Sequence, residues 1–148
     1  MNDLKQQNIL NIYIGYDEVE IVAYHTLSQS IIKHASGPVR ISPICSKHFQ
    51  KFFNRPRDEK QSNDFSFTRF LVPYLNNYDG YAIFMDCDMM LKTDIYEVLN
   101  EIDTNNAISV VQHDYTPSDT VKYLNKVQYA YPRKNWSSFV VWNCSHQK

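Results

Sequence analysis

The chain has 148 residues, a hydrophobic fraction of 43% and a charged fraction of 21%, the ordinary composition of a globular domain with a hydrophobic core. Its formal net charge of −1 gives no broad field to attract nucleic acid or an anionic membrane. Residues 1–7 are polar and unlike a signal peptide, no apolar stretch is long enough to span a bilayer, and the odd number of cysteines favours a reducing compartment. We therefore expect one cytoplasmic domain over residues 1–148, with no nucleic-acid partner and no transmembrane segment.

Short apolar runs alternate with segments of helical periodicity along the chain. The predicted strands are, in chain order, Ile9–Gly15, Val39–Cys45, Tyr81–Met85, Ala107–Gln112 and Ser138–Trp142. The predicted helices are Glu18–Ala35, a short helix from Ser66 that Pro73 kinks or ends, Asp94–Ile102 and Thr116–Asn125. Capping boxes are predicted at Asp17 with Glu20 and at Asp94 with Glu97. This alternation indicates an α/β fold with parallel strands.

Two aspartates follow the third predicted strand directly. Asp86 and Asp88 are two residues apart, so in extended geometry their side chains point the same way. Two carboxylates at the end of a buried strand are costly unless a positive charge offsets them. Mg²⁺ and Mn²⁺ take oxygen ligands of this kind. The pattern predicts a divalent cation that could in turn hold a nucleotide diphosphate; turn and cap chemistry is the alternative.

Other polar residues are predicted at the same edge of the sheet, since ligands of parallel sheets sit beyond the carboxyl ends of the strands. Tyr16 and Asp17 follow the first strand. Tyr16 could stack on a base and Asp17 could accept a hydrogen bond from it, or the pair could pack and cap the next helix. His113 and Asp114 follow the fourth strand and could be a general base pair, metal ligands or ordinary loop residues.

One arginine, Arg69, lies in an aromatic run. Its stem is expected to be buried there, so its guanidinium must find an anion, either Asp86, Asp88 or a phosphate. The basic and polar stretch Arg133–Ser138 is too small for a nucleic-acid surface. It fits the binding of one sugar or phosphate group, or a solvated loop.

Several enzyme classes lack their signatures in this chain. It has three glycines and neither a Walker A motif nor a GxGxxG motif, so kinases, ATPases and dinucleotide-dependent dehydrogenases have little support. A nucleophile elbow of the GxSxG kind is also absent.

Taken together, the ordered motifs resemble glycosyltransferase family eight and its bacterial and phage relatives. The segments that carry the resemblance are Ile12–Asp17, Phe67–Pro73, Ile83–Asp88, His113–Tyr115 and Arg133–Ser138. The resemblance implies a GT-A fold, with a Rossmann-like mixed, mostly parallel sheet flanked by helices. It also implies a nucleotide-sugar donor, such as a UDP-sugar, and Mn²⁺ or Mg²⁺ as cofactor.

The resemblance also implies roles for individual residues. Asp86 and Asp88 would hold the metal, with Cys87 between them in the donor site. Tyr16 and Asp17 would sit at the nucleobase and Arg69 near the donor sugar or diphosphate. The candidates for sugar or acceptor contacts are His113, Asp114, Asn135, Trp136 and Ser137.

One departure from the family concerns the C-terminal end. Family members usually continue further and carry a histidine that completes the metal site, which His146 does not match, so we expect a fragment or a shortened member. We interpret the sequence as that of a metal-dependent glycosyltransferase with an unassigned catalytic residue and an unknown acceptor. A nucleotidyltransferase and a non-catalytic sugar-nucleotide-binding domain are the alternatives.

Overall fold

A computed structural model of the chain describes residues 9–56, 58, 61, 63–112, 121–122, 126–127 and 135–146. The strands are β1 Leu10–Gly15, β2 Val39–Ile44, β3 Tyr81–Met85, β4 Ile108–Gln112, β5 Val121–Lys122, β6 Lys126–Val127 and β7 Asn135–Asn143. The α-helices are α1 Ile21–His34 and α2 Val72–Leu75. Short 3-10 helices cover Glu18–Glu20, Ser46–Phe49, Thr68–Leu71 and Ile95–Asn100.

Five strands form one sheet in the order β2-β1-β3-β7-β4, and β5 pairs with β6 separately. β1 is parallel to both β2 and β3, while β7 is antiparallel to both β3 and β4. Four of the five strands therefore run in one direction and β7 opposes them. The predicted mixed, mostly parallel α/β fold is confirmed.

The order of the strands marks where a ligand would bind. The chain leaves β1 for β2 on one side and later returns to β3 on the other side. Such a reversal opens a crevice beyond the carboxyl ends of the two adjacent strands. The residues at that crevice are the ones that follow β1 and β3.

The core lies on both faces of the sheet, as the alternation along β1 illustrates. Leu10, Ile12 and Ile14 are fully buried in the same cluster as Leu27 and Ile31 of α1. On the other face, Asn11 Nδ2 and Tyr13 Oη donate to Oδ1 of Asn76 at 2.8 and 3.2 Å, directly after α2. α2 therefore lies on the face opposite to the fully buried side chains of β1.

Three local predictions differ from the structure in detail. Asp17 accepts from Val19 N as predicted, but the first helix begins as a 3-10 turn and the Glu20 carboxylate contacts another element. Asp94 accepts from Tyr96 N, while Glu97 accepts from Thr93. Pro73 is accommodated in the first turn of α2, where its missing N–H costs nothing.

The predicted helix over Thr116–Asn125 is wrong at Val121–Lys122, which forms strand β5. The rest of that prediction lies outside the described residues. Among the described residues, no helix is long and apolar enough to cross a bilayer.

Candidate functional site

The Asp86–Asp88 turn lies at the carboxyl end of the central strand β3. The Asp86 backbone N–H donates to the Ser138 carbonyl at 2.8 Å, which extends the pairing with β7 by one residue. Cys87 is buried and Asp88 is exposed. Asp88 is close enough to raise the pKa of Asp86 through its charge. The two carboxylates therefore lie at the crevice that the strand order predicts.

Arg69 is the cation of this site. Its side chain is buried, at 6% exposure, on the 3-10 helix that precedes α2. Its Nη2 lies 3.2 Å from Oδ1 of Asp86. Its Nη1 donates to the Ser137 carbonyl at 2.6 Å and approaches Ser137 Oγ at 2.9 Å. Its guanidinium carbon lies 4.9 Å from the centroid of the Phe84 ring. The sequence predicted Asp86, Asp88 or a phosphate as the anion beside Arg69, and in the structure that anion is Asp86.

Both members of this ion pair are costly to bury. Burial, with smaller contributions from the negative charges of Asp88 and Glu20, raises the pKa of Asp86 to about 6, although Arg69 opposes the shift. Burial also lowers the pKa of Arg69, against the effect of Asp86. In both groups the desolvation outweighs the attraction between the partners. The site therefore holds more negative charge than one arginine offsets.

The residue between the two aspartates makes a contact that the sequence did not predict. The Cys87 thiol is buried and donates to Oε2 of Glu20 at 3.2 Å. Burial, together with this hydrogen bond, raises the pKa of the thiol well above its usual range, so Cys87 stays protonated and remains a donor. Glu20 was interpreted only as a helix-capping residue. Its sequence position, three residues after Asp17, carries no signal for a contact 67 residues away.

Asp17 and Tyr16 are engaged in contacts of their own. Asp17 accepts from Val19 N at 3.2 Å through one oxygen and from Asp64 N at 3.3 Å through the other. Tyr16 packs edge to face against Tyr24, with ring centroids 5.4 Å apart. Asp17 thus connects the end of β1 to the segment that leads to Arg69. The predicted contact of these two residues with a nucleobase stays a prediction.

Phe65 packs beneath Arg69 and against the end of β1. It is buried against Gly15 at the end of β1, and its ring centroid lies 6.4 Å from that of Phe84. The Arg69 guanidinium lies 5.9 Å from the Phe65 centroid. The sequence offered one signal for this role, an aromatic residue within the run around Arg69.

A cavity of about 350 Å³ lies beside Asp64. Its lining includes amide and hydroxyl groups and the aromatic Phe67, and the Arg55 guanidinium lies 3.9 Å above the Phe67 ring. The polar lining residues are Ser46, Gln50, Asn54, Arg55, Gln61 and Asp64. Such a mixture of amides and a ring face suits a planar polar group.

The remaining predicted site residues are described only in part. Ser137 contacts Arg69, as described above. Asn135 and Trp136 lie at the start of β7, which begins at the same edge of the sheet because β7 runs antiparallel to β3. His113 and Asp114 lie outside the described residues. The predicted sugar or acceptor contacts of all five residues stay predictions.

The residues present fit a divalent cation in part. Asp86 Oδ1 is buried and has no aligned hydrogen bond, and Asp88 supplies an exposed carboxylate beside it. Among the described residues, however, no group of three His, Cys, Asp or Glu side chains has the geometry to hold a metal. A cation here would take two protein ligands, and its other ligands would come from a bound molecule and water.

The chain is similar in sequence to a plant protein. It is 45% identical over 149 residues to Protein CDI of Arabidopsis thaliana, an alignment that covers 99% of this chain and 58% of that protein. The chain thus spans little more than half of its relative's length. No known protein-family profile matches the chain.

The fold is similar to those of solved glycosyltransferases. The structure of the bifunctional glycosyltransferase WbbM matches 93% of this chain and 32% of its own length, with a TM-score of 0.64 and 15% identity. The structure of GlyE from Streptococcus pneumoniae matches 93% of this chain and 35% of its own, with a TM-score of 0.55 and 14% identity. The chain therefore has a glycosyltransferase-like fold. Its place in family eight stays a prediction.

Proposed function

We propose that this chain binds a nucleotide sugar together with Mn²⁺ or Mg²⁺ and forms the donor half of a glycosyltransferase. The observation that carries the proposal is the buried Arg69–Asp86 pair at the carboxyl end of β3, with Asp88 beside it. It lies at the strand-order reversal of a sheet whose fold is glycosyltransferase-like.

The excess negative charge is the physical reason to expect a cation. Burial is the main cause of the raised pKa of Asp86, the charge of Asp88 adds to it, and Arg69 opposes it. A bound divalent cation would offset the charge of the departing nucleoside diphosphate, which lowers the barrier to glycosyl transfer. Asp86 and Asp88 are the residues that would hold it.

Arg69 supports this site by orienting Asp86. Its hydrogen bond to the Ser137 carbonyl fixes the guanidinium against β7, and the Phe84 ring lies next to it, 4.9 Å from centroid to guanidinium carbon. A carboxylate held in this way keeps one geometry, which a ligand for a hard cation requires. Because Asp86 lies beside its guanidinium, Arg69 would contact the donor diphosphate only if the diphosphate lies next to Asp86.

The nucleoside end of the donor fits beside Asp64. The cavity of about 350 Å³ there offers the amides of Gln50 and Gln61 and the face of Phe67. Asp17 joins this segment to the end of β1. A nucleotide would then extend from this cavity across the crevice to Asp88.

A second candidate is a non-catalytic domain that binds sugar nucleotides. The specific observation in its favour is that no three-residue metal group exists among the described residues. With two protein ligands a cation would be held loosely, and a misplacement of about 1 Å can reduce a rate by about a hundredfold. Binding without turnover is the result expected of this candidate.

Calorimetry of UDP-sugar binding, with Mn²⁺ and with EDTA, tests the proposal. We expect Mn²⁺ to tighten binding by at least about tenfold. Asp88→Asn should remove that effect, and Glu101→Gln, at an exposed carboxylate elsewhere, should not. Equal affinity in Mn²⁺ and EDTA would contradict the proposal.

A turnover assay separates the candidates. Hydrolysis or transfer of the sugar by wild type, lost in Asp88→Asn, supports the glycosyltransferase. Binding without either reaction supports the non-catalytic domain. Nucleotide exchange with a sugar phosphate and a nucleoside triphosphate would point to a nucleotidyltransferase instead.

A further inference from the structure

We propose that Glu20, acting through the Cys87 thiol, is a positioning residue that holds the Asp86–Asp88 turn in the geometry needed to bind a cation and a diphosphate. The inference deepens the proposed function and rests on it. Neither Glu20 nor Cys87 is a ligand in this proposal.

The first step is the contact itself. Cys87 is 1% exposed, and its thiol donates to the Glu20 carboxylate at 3.2 Å. A thiol is a weak donor, but a hydrogen bond to an ionised acceptor is stronger than one between neutral groups. This hydrogen bond joins the turn after β3 to the 3-10 helix after β1.

The second step is what the contact does to the neighbouring side chains. Asp86 extends the pairing of β3 with β7 by one residue, and Cys87 and Asp88 form the turn that follows. Anchoring the Cys87 side chain on Glu20 fixes the first residue of that turn and so limits the positions that the adjacent aspartates can take. Asp86 itself is held by Arg69.

The third step is that both ends of the turn are fixed as well. The Asp86 backbone N–H donates to the Ser138 carbonyl at 2.8 Å. The Leu91 backbone N–H donates to Ser30 Oγ of α1 at 3.0 Å. The Cys87 thiol is a polar side-chain anchor between them, and Met89 also packs against the hydrophobic core. Loss of the thiol contact would leave the residue between the two aspartates held by packing alone.

The fourth step is that Glu20 has no competing local role. Asp17 Oδ1 already caps the 3-10 helix, and Glu20, although the residue before α1, makes no side-chain cap. Its carboxylate instead accepts from the Cys87 thiol on the turn after β3. A side chain that contacts another element in place of its own helix fits a role in the site better than a role in starting the helix.

Two pairs of variants at these positions separate position from charge. Cys87→Ser keeps a donor and Cys87→Ala removes it. Glu20→Gln keeps an acceptor oxygen without the charge and Glu20→Ala removes both. Cys144→Ala, at another buried thiol at the far edge of the sheet, is the matched control for loss of a buried sulfur.

The first measurement is Mn²⁺ affinity in the presence of UDP, followed by the electron paramagnetic resonance of free Mn²⁺. Removing a residue that orients metal ligands typically lowers affinity by about 10- to 100-fold. We expect this loss in Cys87→Ala and Glu20→Ala, with Cys87→Ser, Glu20→Gln and Cys144→Ala close to wild type. Wild-type affinity in Glu20→Ala would overturn the proposal. A loss in Glu20→Gln as large as in Glu20→Ala would also overturn it, because it would show that the charge of Glu20 acts directly on the cation.

The second measurement needs no metal. Amide hydrogen exchange over residues 86–91 should quicken in Glu20→Ala and Cys87→Ala but not in Glu20→Gln, since the anchored turn opens more often without its central contact. If wild type binds neither Mn²⁺ nor UDP, the proposed function falls, and this exchange alone decides whether Glu20 positions the turn. Unchanged exchange in Glu20→Ala would overturn it. Should Cys87→Ala fail to fold, Glu20→Ala gives the same comparison from the partly exposed partner.

Discussion

Asp86 is a carboxyl group placed where ionisation is unfavourable. Burial is the main cause and its acidic neighbours Asp88 and Glu20 add to it, so Arg69 only partly compensates. Because the pKa of Asp86 is raised on folding, the folded state binds the proton more tightly than the unfolded state does. The stability that this gives is present below a pH of about 4 and is lost as the pH rises through about 6.

Comparing wild type with Asp86→Asn isolates this effect, because asparagine does not titrate. With EDTA present, we expect wild type to lose about 2 kcal/mol of unfolding free energy relative to the variant between pH 4 and pH 7. Urea denaturation at several pH values measures the difference. A difference that is constant with pH, or that changes in wild type's favour as the pH rises, would show that folding does not raise the pKa of Asp86.

The contribution of Arg69 to stability can be tested by substituting the cationic partner of the ion pair. Arg69→Ala leaves Asp86 buried without its partner, and removing one member of a buried ion pair costs about 3 kcal/mol. Arg69→Lys keeps a charge but cannot replace the two-branched contact with Ser137 and Asp86. Chemical denaturation should show a large loss for alanine and a smaller one for lysine.

Arg55 is the control for the stability comparison alone, because it lines the cavity proposed for the nucleoside. It is exposed and lies over the Phe67 ring, so Arg55→Ala should change stability little. Donor affinity of the folded Arg69 variants then reports on the predicted donor contact. Normal affinity in Arg69→Lys would restrict Arg69 to supporting Asp86.

The end of β1 is the part of the fold that we expect to be most sensitive to a single substitution. Gly15 is buried, and a Cβ there would overlap the Phe65 ring, which in turn lies under Arg69. Gly15→Ala should therefore lower stability by about 1–3 kcal/mol, the usual cost of overpacking, and also weaken donor binding by moving Phe65. Thermal unfolding and calorimetry measure the two effects.

The double variant Gly15→Ala/Phe65→Leu checks the cause. The smaller side chain should restore part of the stability that Gly15→Ala loses. Gly37→Ala, whose Cβ would approach the Tyr96 ring end, is the comparison outside the site. No recovery in the double variant would mean that the backbone at Gly15, and not contact with Phe65, is responsible.

Elements were predictable where one local signal decides them. The run Tyr81–Met85 is a strand with the bounds that its apolar pattern predicts, because a short buried run followed by aspartates has no rival structure. The carboxylate of Glu20 shows the limit. A glutamate three residues after Asp17 fits a capping box, yet its side chain contacts Cys87, and no local pattern encodes a partner on another strand.

The same limit applies to strand direction and to β5. Ser138–Trp142 reads as a strand, but only its pairing with Tyr81–Met85 makes it antiparallel. Thr116–Pro117 is a plausible helix start, yet Val121–Lys122 pairs antiparallel with Lys126–Val127 a few residues further along the chain, so a local strand pair forms where the helix was predicted. The edge that gathers the site was predictable because parallel strands share their carboxyl ends.

At the scale of the whole molecule, the sheet brings three distant segments to one crevice. β1 contributes Asp17, the segment before α2 contributes Arg69, and β3 contributes Asp86 and Asp88. These segments are tied to each other by contacts at the crevice. A ligand that bridges them would bind the folded state alone and so stabilise the entire chain.

Thermal unfolding should therefore reveal the ligand without any assay of turnover. At a concentration of about a hundred times its Kd, a ligand adds about 2.7 kcal/mol to the unfolding free energy, which for a chain of this length raises Tm by roughly 5–10 °C. We expect this rise with UDP and Mn²⁺ together and a much smaller one with either alone, because the cation completes its shell with diphosphate oxygens.

The effect should strengthen as the pH rises from 5 to 7, since Asp86 must lose its proton, with a pKa of about 6, to act as a ligand. Asp88→Asn should abolish the synergy and Glu101→Gln should keep it. A rise with UDP that is the same in EDTA would place the nucleotide in the cavity beside Asp64 without a metal, and no rise under any condition would remove the donor site from this crevice.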